Sequence, residues 1–127
     1  MLTGGQNLNF TSPLYPLYYP NSLDCVWILT AHENGSVELE FKLFRVERGH
    51  DFLSVGEGDE VTDASLILRM SGTEVEIPKS IMVTGSNMWL TFVTATSWND
   101  AGFFAYIRGH WNERKYTFIC PKIRLQE

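Results

Sequence analysis

The segment Ser12-Pro13-Leu14-Tyr15-Pro16-Leu17-Tyr18-Tyr19-Pro20-Asn21-Ser22-Leu23-Asp24-Cys25-Val26-Trp27 constrains this chain more than any other. Pro13 to Pro20 hold three prolines and three tyrosines in eight residues. Proline fixes φ and lacks a backbone donor, so this segment joins neither a helix interior nor a central strand. The residue before each proline is pushed toward extended geometry. The expectation is an ordered, extended loop whose tyrosine rings lie on a core while their hydroxyls stay wet. It leads into a strand at Cys25.

Strand patterns dominate the chain beyond this loop. Val26-Trp27-Ile28-Leu29-Thr30 is apolar and β-rich. Val37, Leu39, Phe41 and Leu43 alternate with Glu38, Glu40 and Lys42, the period of a half-buried strand. Further strands are predicted over 50–55, 66–70, 81–84, 88–94 and 103–107, separated by turn clusters such as Gly56-Glu57-Gly58-Asp59 and Gly85-Ser86-Asn87. The stretch 59–68, with Thr62 or Asp63 as cap, is the one candidate for a short helix. Trp27, Phe41, Phe92 and Phe103 occupy inward strand positions and are expected in the core. Short strands punctuated by turns predict an all-β antiparallel sandwich. Residues 1–109 read as one domain. Residues 110–127, more basic and containing Pro121, read as a C-terminal extension or linker toward a neighbouring module.

A chain of 127 residues can bury a sizeable core. Its 44% hydrophobic and 20% charged residues are those of a folded domain. A formal net charge of −5 opposes nucleic-acid binding, which wants a basic stripe. No apolar run reaches the length of a membrane span. The start, Met1-Leu2-Thr3-Gly4-Gly5, lacks the basic and apolar regions of a secretory leader. The protein is then either cytosolic or a piece of a longer chain. Asn9-Phe10-Thr11 and Asn34-Gly35-Ser36 fit the N-glycosylation triplet, which points to the secreted alternative.

Catalytic constellations are not found. His32, His50 and His110 are scattered, and with Cys25 and Cys120 they show no zinc spacing. Ser54 or Ser71 beside His50 and Asp51 has adjacency in sequence, which does not supply triad geometry. Gly56-Glu57-Gly58 is a turn without the following lysine and helix of a phosphate loop. The chain is read as a non-enzyme.

Taken together, these residues resemble a CUB domain, the jelly-roll-type β-sandwich module of secreted and cell-surface proteins. The likeness runs from about residue 2 to 108. It is carried by Leu2-Thr3-Gly4, the loop from Ser12-Pro13 through Cys25 and Trp27, the strand Val37 to Phe44, Asp51-Phe52-Leu53-Ser54-Val55 with Gly58, and Phe92-Val93-Thr94 followed by Gly102-Phe103. The resemblance implies four cysteines in two consecutive pairs, of which Cys25 is the second. The first would lie upstream of Leu2. The third is missing from a short loop between Glu47 and Asp51, and Met70 stands at the fourth, where it can fill the space as an apolar residue. Shortened forms of this kind resemble CUB modules that alternate with sushi domains, and Cys120-Pro121 could open such a neighbour. Three states of Cys25 stay open: a buried free thiol whose partner lies outside this sequence, which is the favoured reading, a pair with Cys120, or a bridge to another chain.

The resemblance also implies a calcium site at one end of the sandwich. Carried over, its ligands are Glu47 and Asp51, with Tyr19 as support. The third carboxylate position falls on Ala95, and Trp98 stands where a small polar residue often contributes. Calcium affinity follows ligand charge count, so loss of one carboxylate in three makes the site vestigial and Ca²⁺ a disfavoured cofactor. No other cofactor is implied. The plainer reading gives Glu47 and Asp51 surface ion pairs with Arg45 or Arg48, each worth roughly 0–1 kcal/mol.

The function expected is that of an extracellular protein-interaction or spacer module in a larger secreted or membrane-anchored glycoprotein. Its partners would be other extracellular proteins or neighbouring modules, with no nucleic acid and no membrane insertion. Recognition is placed on the loop Trp98, Asn99 and Asp100. The alternatives are a calcium-dependent ligand-binding CUB domain, in which Asp100 or a carbonyl replaces the missing carboxylate, and a glycan-binding module.

Overall fold

Among the described residues, ten β-strands pair into two antiparallel sheets. The computed structural model describes residues 6–30, 36–84, 87–95, 100–109 and 115–119. In chain order the strands are β1 (Gln6–Thr11), β2 (Asp24–Thr30), β3 (Ser36–Val46), β4 (Phe52–Glu57), β5 (Leu66–Met70), β6 (Gly72–Thr73), β7 (Ser80–Thr84), β8 (Asn87–Val93), β9 (Gly102–Gly109) and β10 (Lys115–Ile119). One sheet runs β1-β9-β3-β6, with β7 also pairing β3, and the other runs β10-β2-β8-β4-β5. The all-β sandwich expected from the turn spacing is the fold observed.

Aromatic side chains from both sheets meet between them. Phe10, Trp27, Phe44, Phe92 and Phe103 form a chain of edge, tilted and stacked ring contacts with centroids 4.9–6.5 Å apart. Trp27, Phe41, Phe92 and Phe103 are all buried, as their strand positions require. Met70 is buried as well.

The alternation of β3 holds only to Phe41. The register with β9 shifts between Phe41 and Leu43. A bulge adds one residue to the count and exchanges the faces beyond it. Phe44 and Val46 are therefore buried, and Leu43, expected inside, is only half-buried. The short helix expected within 59–68 is not formed. Ser65 and Leu66 close turns on the carbonyls of Thr62 and Asp63, and strand β5 begins at Leu66. The one helical turn among the described residues is a 3-10 turn at Glu74–Glu76. Within the stretch read as an extension, residues 115–119 form β10, in antiparallel register with β2 from Lys115↔Thr30 to Ile119↔Val26.

The proline-tyrosine loop is not extended throughout. Leu14 sits in the left-handed region at φ 67°, and the N–H groups of Tyr15 and Leu17 close turns on the carbonyls of Ser12 and Leu14. The loop is clamped to β9 through Ser12. Its N–H donates to the Phe103 carbonyl (3.1 Å), and its hydroxyl accepts from the Phe103 N–H (3.0 Å). Gly102 makes that clamp sterically allowed. Its φ is +94°, and a Cβ there would lie 2.0 Å from Ser12 Oγ. Gly102→Ala combines left-handed strain with this clash, and a loss of about 2–3 kcal/mol is expected in denaturant unfolding. A loss below half of that would mean that Ser12 swings away without cost.

Candidate functional site

Four backbone segments converge at one end of the sandwich, and Tyr19 is where they meet. Its side chain is fully buried, and its ring lies edge-on to Phe92 with centroids 5.1 Å apart. The hydroxyl donates to Asp51 Oδ2 (2.6 Å) and accepts from the Glu47 N–H (3.0 Å). The Tyr19 N–H donates to the Asp100 carbonyl (3.3 Å). Burial first, and the hydrogen-bonded Asp51 carboxyl next, push the phenol well above its ordinary range, with the Glu47 N–H opposing and the Asp100 charge adding to the rise. Tyr19 therefore stays a neutral donor at any physiological pH. The sequence reading of a tyrosine with a wet hydroxyl is wrong for Tyr19, whereas Tyr18 beside it is 61% exposed.

Asp51 is fully buried. Its second oxygen, Oδ1, accepts from the Ala95 N–H at 2.6 Å. Both oxygens thus have donors, one from a phenol and one from the main chain, which is how a buried carboxyl is tolerated. A turn fixes the other carboxylate relative to it: the N–H groups of His50 and Asp51 donate to the Glu47 carbonyl (3.3 and 3.0 Å). Ser71, which sequence reasoning weighed only as a triad member, fastens this turn. Its Oγ lies 3.0 and 2.8 Å from the carbonyls of Glu47 and Asp51 and accepts the Gly49 N–H at 2.9 Å. Thr94 does the same for the incoming loop, accepting the Leu23 N–H (2.7 Å) and donating to the Pro20 carbonyl (3.1 Å). Only proximity in the fold reveals these two hydroxyl residues.

The structure brings Tyr19, Glu47, Asp51 and Ala95 together. Surface ion pairs of Glu47 and Asp51 with Arg45 or Arg48 are not what forms: Asp51 is inside, and Arg48 pairs with Glu76, its Nε 2.8 Å from Glu76 Oε1. Asp100 joins the cluster through its carbonyl. Its own carboxylate accepts the neighbouring Ala101 N–H at 2.7 Å. Trp98, Asn99 and Asn34 lie outside the described residues, as does Cys120. Asn9 is exposed on β1, opposite Tyr106 of β9. Cys25 is fully buried, and no cysteine among the described residues is free, so the favoured reading of a free thiol does not hold.

Among the described residues, the oxygens at this site fall short of a full calcium cage. A hard cation needs six to eight oxygens. Here the third carboxylate position contributes a methyl group and an amide N–H, and that N–H holds an oxygen of Asp51. No group of three or more carboxylate, histidine or cysteine side chains suited to a metal occurs among the described residues. One atom points the other way: Glu47 Oε1 is buried without a hydrogen-bond partner.

Comparison with known proteins places the chain. The sequence profile of the CUB domain matches residues 3–107. The dorsal-ventral patterning protein tolloid of Drosophila melanogaster is 32% identical over 120 residues, covering 91% of this chain and 11% of tolloid. Cubilin of Canis lupus familiaris is 37% identical over 118 residues, covering 90% of this chain and 3% of cubilin. The chain thus spans about a tenth or less of these two relatives. Among solved structures, the CUB1-EGF-CUB2 domain of human MASP-1/3 superposes with a TM-score of 0.70 at 23% identity, over 83% of this chain and 42% of that one. The MASP-1 CUB2 domain bound to Ca²⁺ gives 0.66 at 22% identity, over 84% of this chain and 95% of that one. With profile, relatives and sandwich in agreement, this chain belongs to the CUB domain family.

Proposed function

We propose that this chain is a non-catalytic extracellular interaction or spacer module of a larger secreted or membrane-anchored glycoprotein, and that it works without a functional calcium site. The observation that carries this reading is the side chain at Ala95, a methyl group that brings no oxygen to the place where the Ala95 N–H holds Asp51 Oδ1. A methyl group stands where the family resemblance puts a third carboxylate, so the cluster of Tyr19, Glu47 and Asp51 acts as a structural tie. The short share of the relatives that the chain covers supports a role as one module among several. Its partners are other extracellular proteins or neighbouring modules. Contact through Trp98, Asn99 and Asp100 is supported by the Asp100 carbonyl, which accepts the Tyr19 N–H. Asn9 is exposed and open to glycan addition, and Asn34 carries the second acceptor triplet.

A calcium-dependent reading has one observation in its favour, the unpartnered Glu47 Oε1, and a solved relative of the same fold is described as bound to Ca²⁺. Titration calorimetry separates the two. No saturable heat is expected with Ca²⁺ up to about 1 mM, the weak end of extracellular calcium modules. Binding tighter than about 10⁻⁴ M that disappears in Glu47→Gln would replace the proposed reading with the calcium-dependent one.

Strand register bears on the partner of Cys25. Residues 115–119 and 26–30 pair without a shift, and that register, if carried one step further on both strands, would set Cys120 opposite Cys25. Directly opposed antiparallel residues have Cβ atoms about 4.5–5.5 Å apart, near the spacing of a disulfide. We infer a Cys25–Cys120 bridge, closed from the C-terminal side of the domain.

A further inference from the structure

A second surface, away from the Tyr19 cluster, has the features of a binding site. It lies on the outer face of the sheet β10-β2-β8-β4-β5, where a cavity of about 610 Å³ opens between β8, β4, β5 and the loop before β5. Register places three polar side chains in one row across its floor: Thr91 of β8 opposite Ser54 of β4, and Ser54 opposite Arg69 of β5. The Arg69 guanidinium lies over the Phe52 ring, 4.0 Å from its centroid. That stacking holds the planar fork in place while leaving its N–H donors open. The other two arginines with a described interaction, Arg48 and Arg108, are paired with glutamates. Arg69 has no ion pair among the described residues.

The cavity wall is built rather than incidental. Trp89 is only 2% exposed although it lies outside the inter-sheet core. Gly56 lets it lie down: a Cβ there would meet the indole at 2.1 Å. Its Nε1–H donates to Ser65 Oγ (3.0 Å), and the Ser65 hydroxyl lies 2.7 Å from Thr62 Oγ1. The indole therefore fixes the loop that carries Val61, Thr62 and Asp63 over the cavity. Val61, Leu66 and Val93 line it with apolar surface and are 44%, 40% and 38% exposed.

We propose that this cavity binds an acidic side chain of a partner protein, with an apolar residue beside it. The carboxylate pairs with the open fork of Arg69, and the hydroxyls of Ser54 and Thr91 lie in the same row. The apolar neighbour covers Val61, Leu66 and Val93. Asp63, also at the cavity, disfavours a bare anion and favours a ligand that brings an N–H donor with its carboxylate, as a peptide does. A sugar fits less well. The open ring face it would stack on is taken: Phe52 is covered by guanidinium, and Trp89 is buried. In a chain of formal net charge −5, one held and unpaired guanidinium in an apolar cavity gives an acidic partner segment a specific landing point.

This proposal rests on reading the chain as an interaction module, and it can fail alone, because it says nothing of the Trp98 loop. The test is a titration of the ¹⁵N-labelled chain with acetyl-Val-Glu-Val-amide, followed by heteronuclear NMR. Saturable shifts are expected at the Trp89 indole N–H, the Arg69 Nε–H and the Ser54 amide, at millimolar affinity or better. They should weaken at least about fivefold, roughly 1 kcal/mol, with the Val-Gln-Val peptide and in Arg69→Gln. Arg69 is exposed, so the variant should keep the dispersed spectrum of the folded chain, and that spectrum is the control. Equal shifts with the glutamine peptide, or none up to about 10 mM, would overturn the proposal. Sialyllactose shifting these same resonances where the glutamate peptide does not would also overturn it, in favour of a glycan.

Discussion

Tyr19→Phe should destabilise this domain by about 3–5 kcal/mol, because one oxygen atom serves a fully buried carboxyl and a part-buried N–H. Its removal leaves Asp51 Oδ2 without its phenol donor and the Glu47 N–H without an acceptor. Asp51 is fully buried, so water does not readily replace the phenol. For a domain of this size the expected fall in Tm is at least about 10 °C. Tyr18→Phe is the matched control: same residue type, next in sequence, on the solvent side of the loop, with no change expected. Thermal unfolding of both variants by circular dichroism provides the comparison. A loss in Tyr19→Phe below about 1 kcal/mol would mean that Asp51 is held by the Ala95 N–H alone.

The contrast between Tyr18 and Tyr19 also shows where sequence reading reaches its end. The fold was legible because turn clusters and two-residue alternation are local signals, and β2, β4, β8 and β9 carry them. The proline-tyrosine loop, Cys25 and the Gly102-Phe103 pair were enough to indicate the family. Which of two adjacent tyrosines turns inward is decided by the turns at Leu14 and Leu17, and a leucine with left-handed φ leaves no mark in composition. The bulge in β3 is invisible for the same reason: nothing in Phe41-Lys42-Leu43-Phe44 announces an extra residue. Strand β10 was obscured by charge, since Lys115 at its start and Arg114, Lys122 and Arg124 on its flanks gave the stretch the composition of a linker. At the Tyr19 cluster, Glu47 and Asp51 were nameable from motif, but Ser71 and Thr94 work through backbone carbonyls and amides that only the fold brings within reach. The cavity at Arg69 was missed entirely, because its parts are distributed over three strands and a loop.

Loss of the bridge inferred between Cys25 and Cys120 should have an effect of similar size. Removing a native disulfide from a small secreted domain costs about 2–5 kcal/mol, and a loop of this length lies toward the upper part of the range expected from chain entropy. The double variant Cys25→Ala/Cys120→Ala should therefore unfold at markedly lower denaturant, with the fold retained in water. Peptide mapping without reductant should give a single mass joining the peptides that contain Cys25 and Cys120, split by reduction. Quantitative alkylation of both thiols in the native protein would exclude the bridge. β10 would then be held to β2 by its antiparallel pairing without a covalent link.

The Ala95 N–H has a consequence for how such a site can change over generations. Every residue except proline carries this donor, so position 95 can drift in side chain without loosening Asp51. A metal ligand must be kept in kind, whereas a main-chain donor is kept by almost any substitution. The position is therefore a poor record of what the site once did. It is also a permissive one, since a single exchange to aspartate would put a third carboxylate beside Asp51 and Glu47 with the tie to the backbone intact.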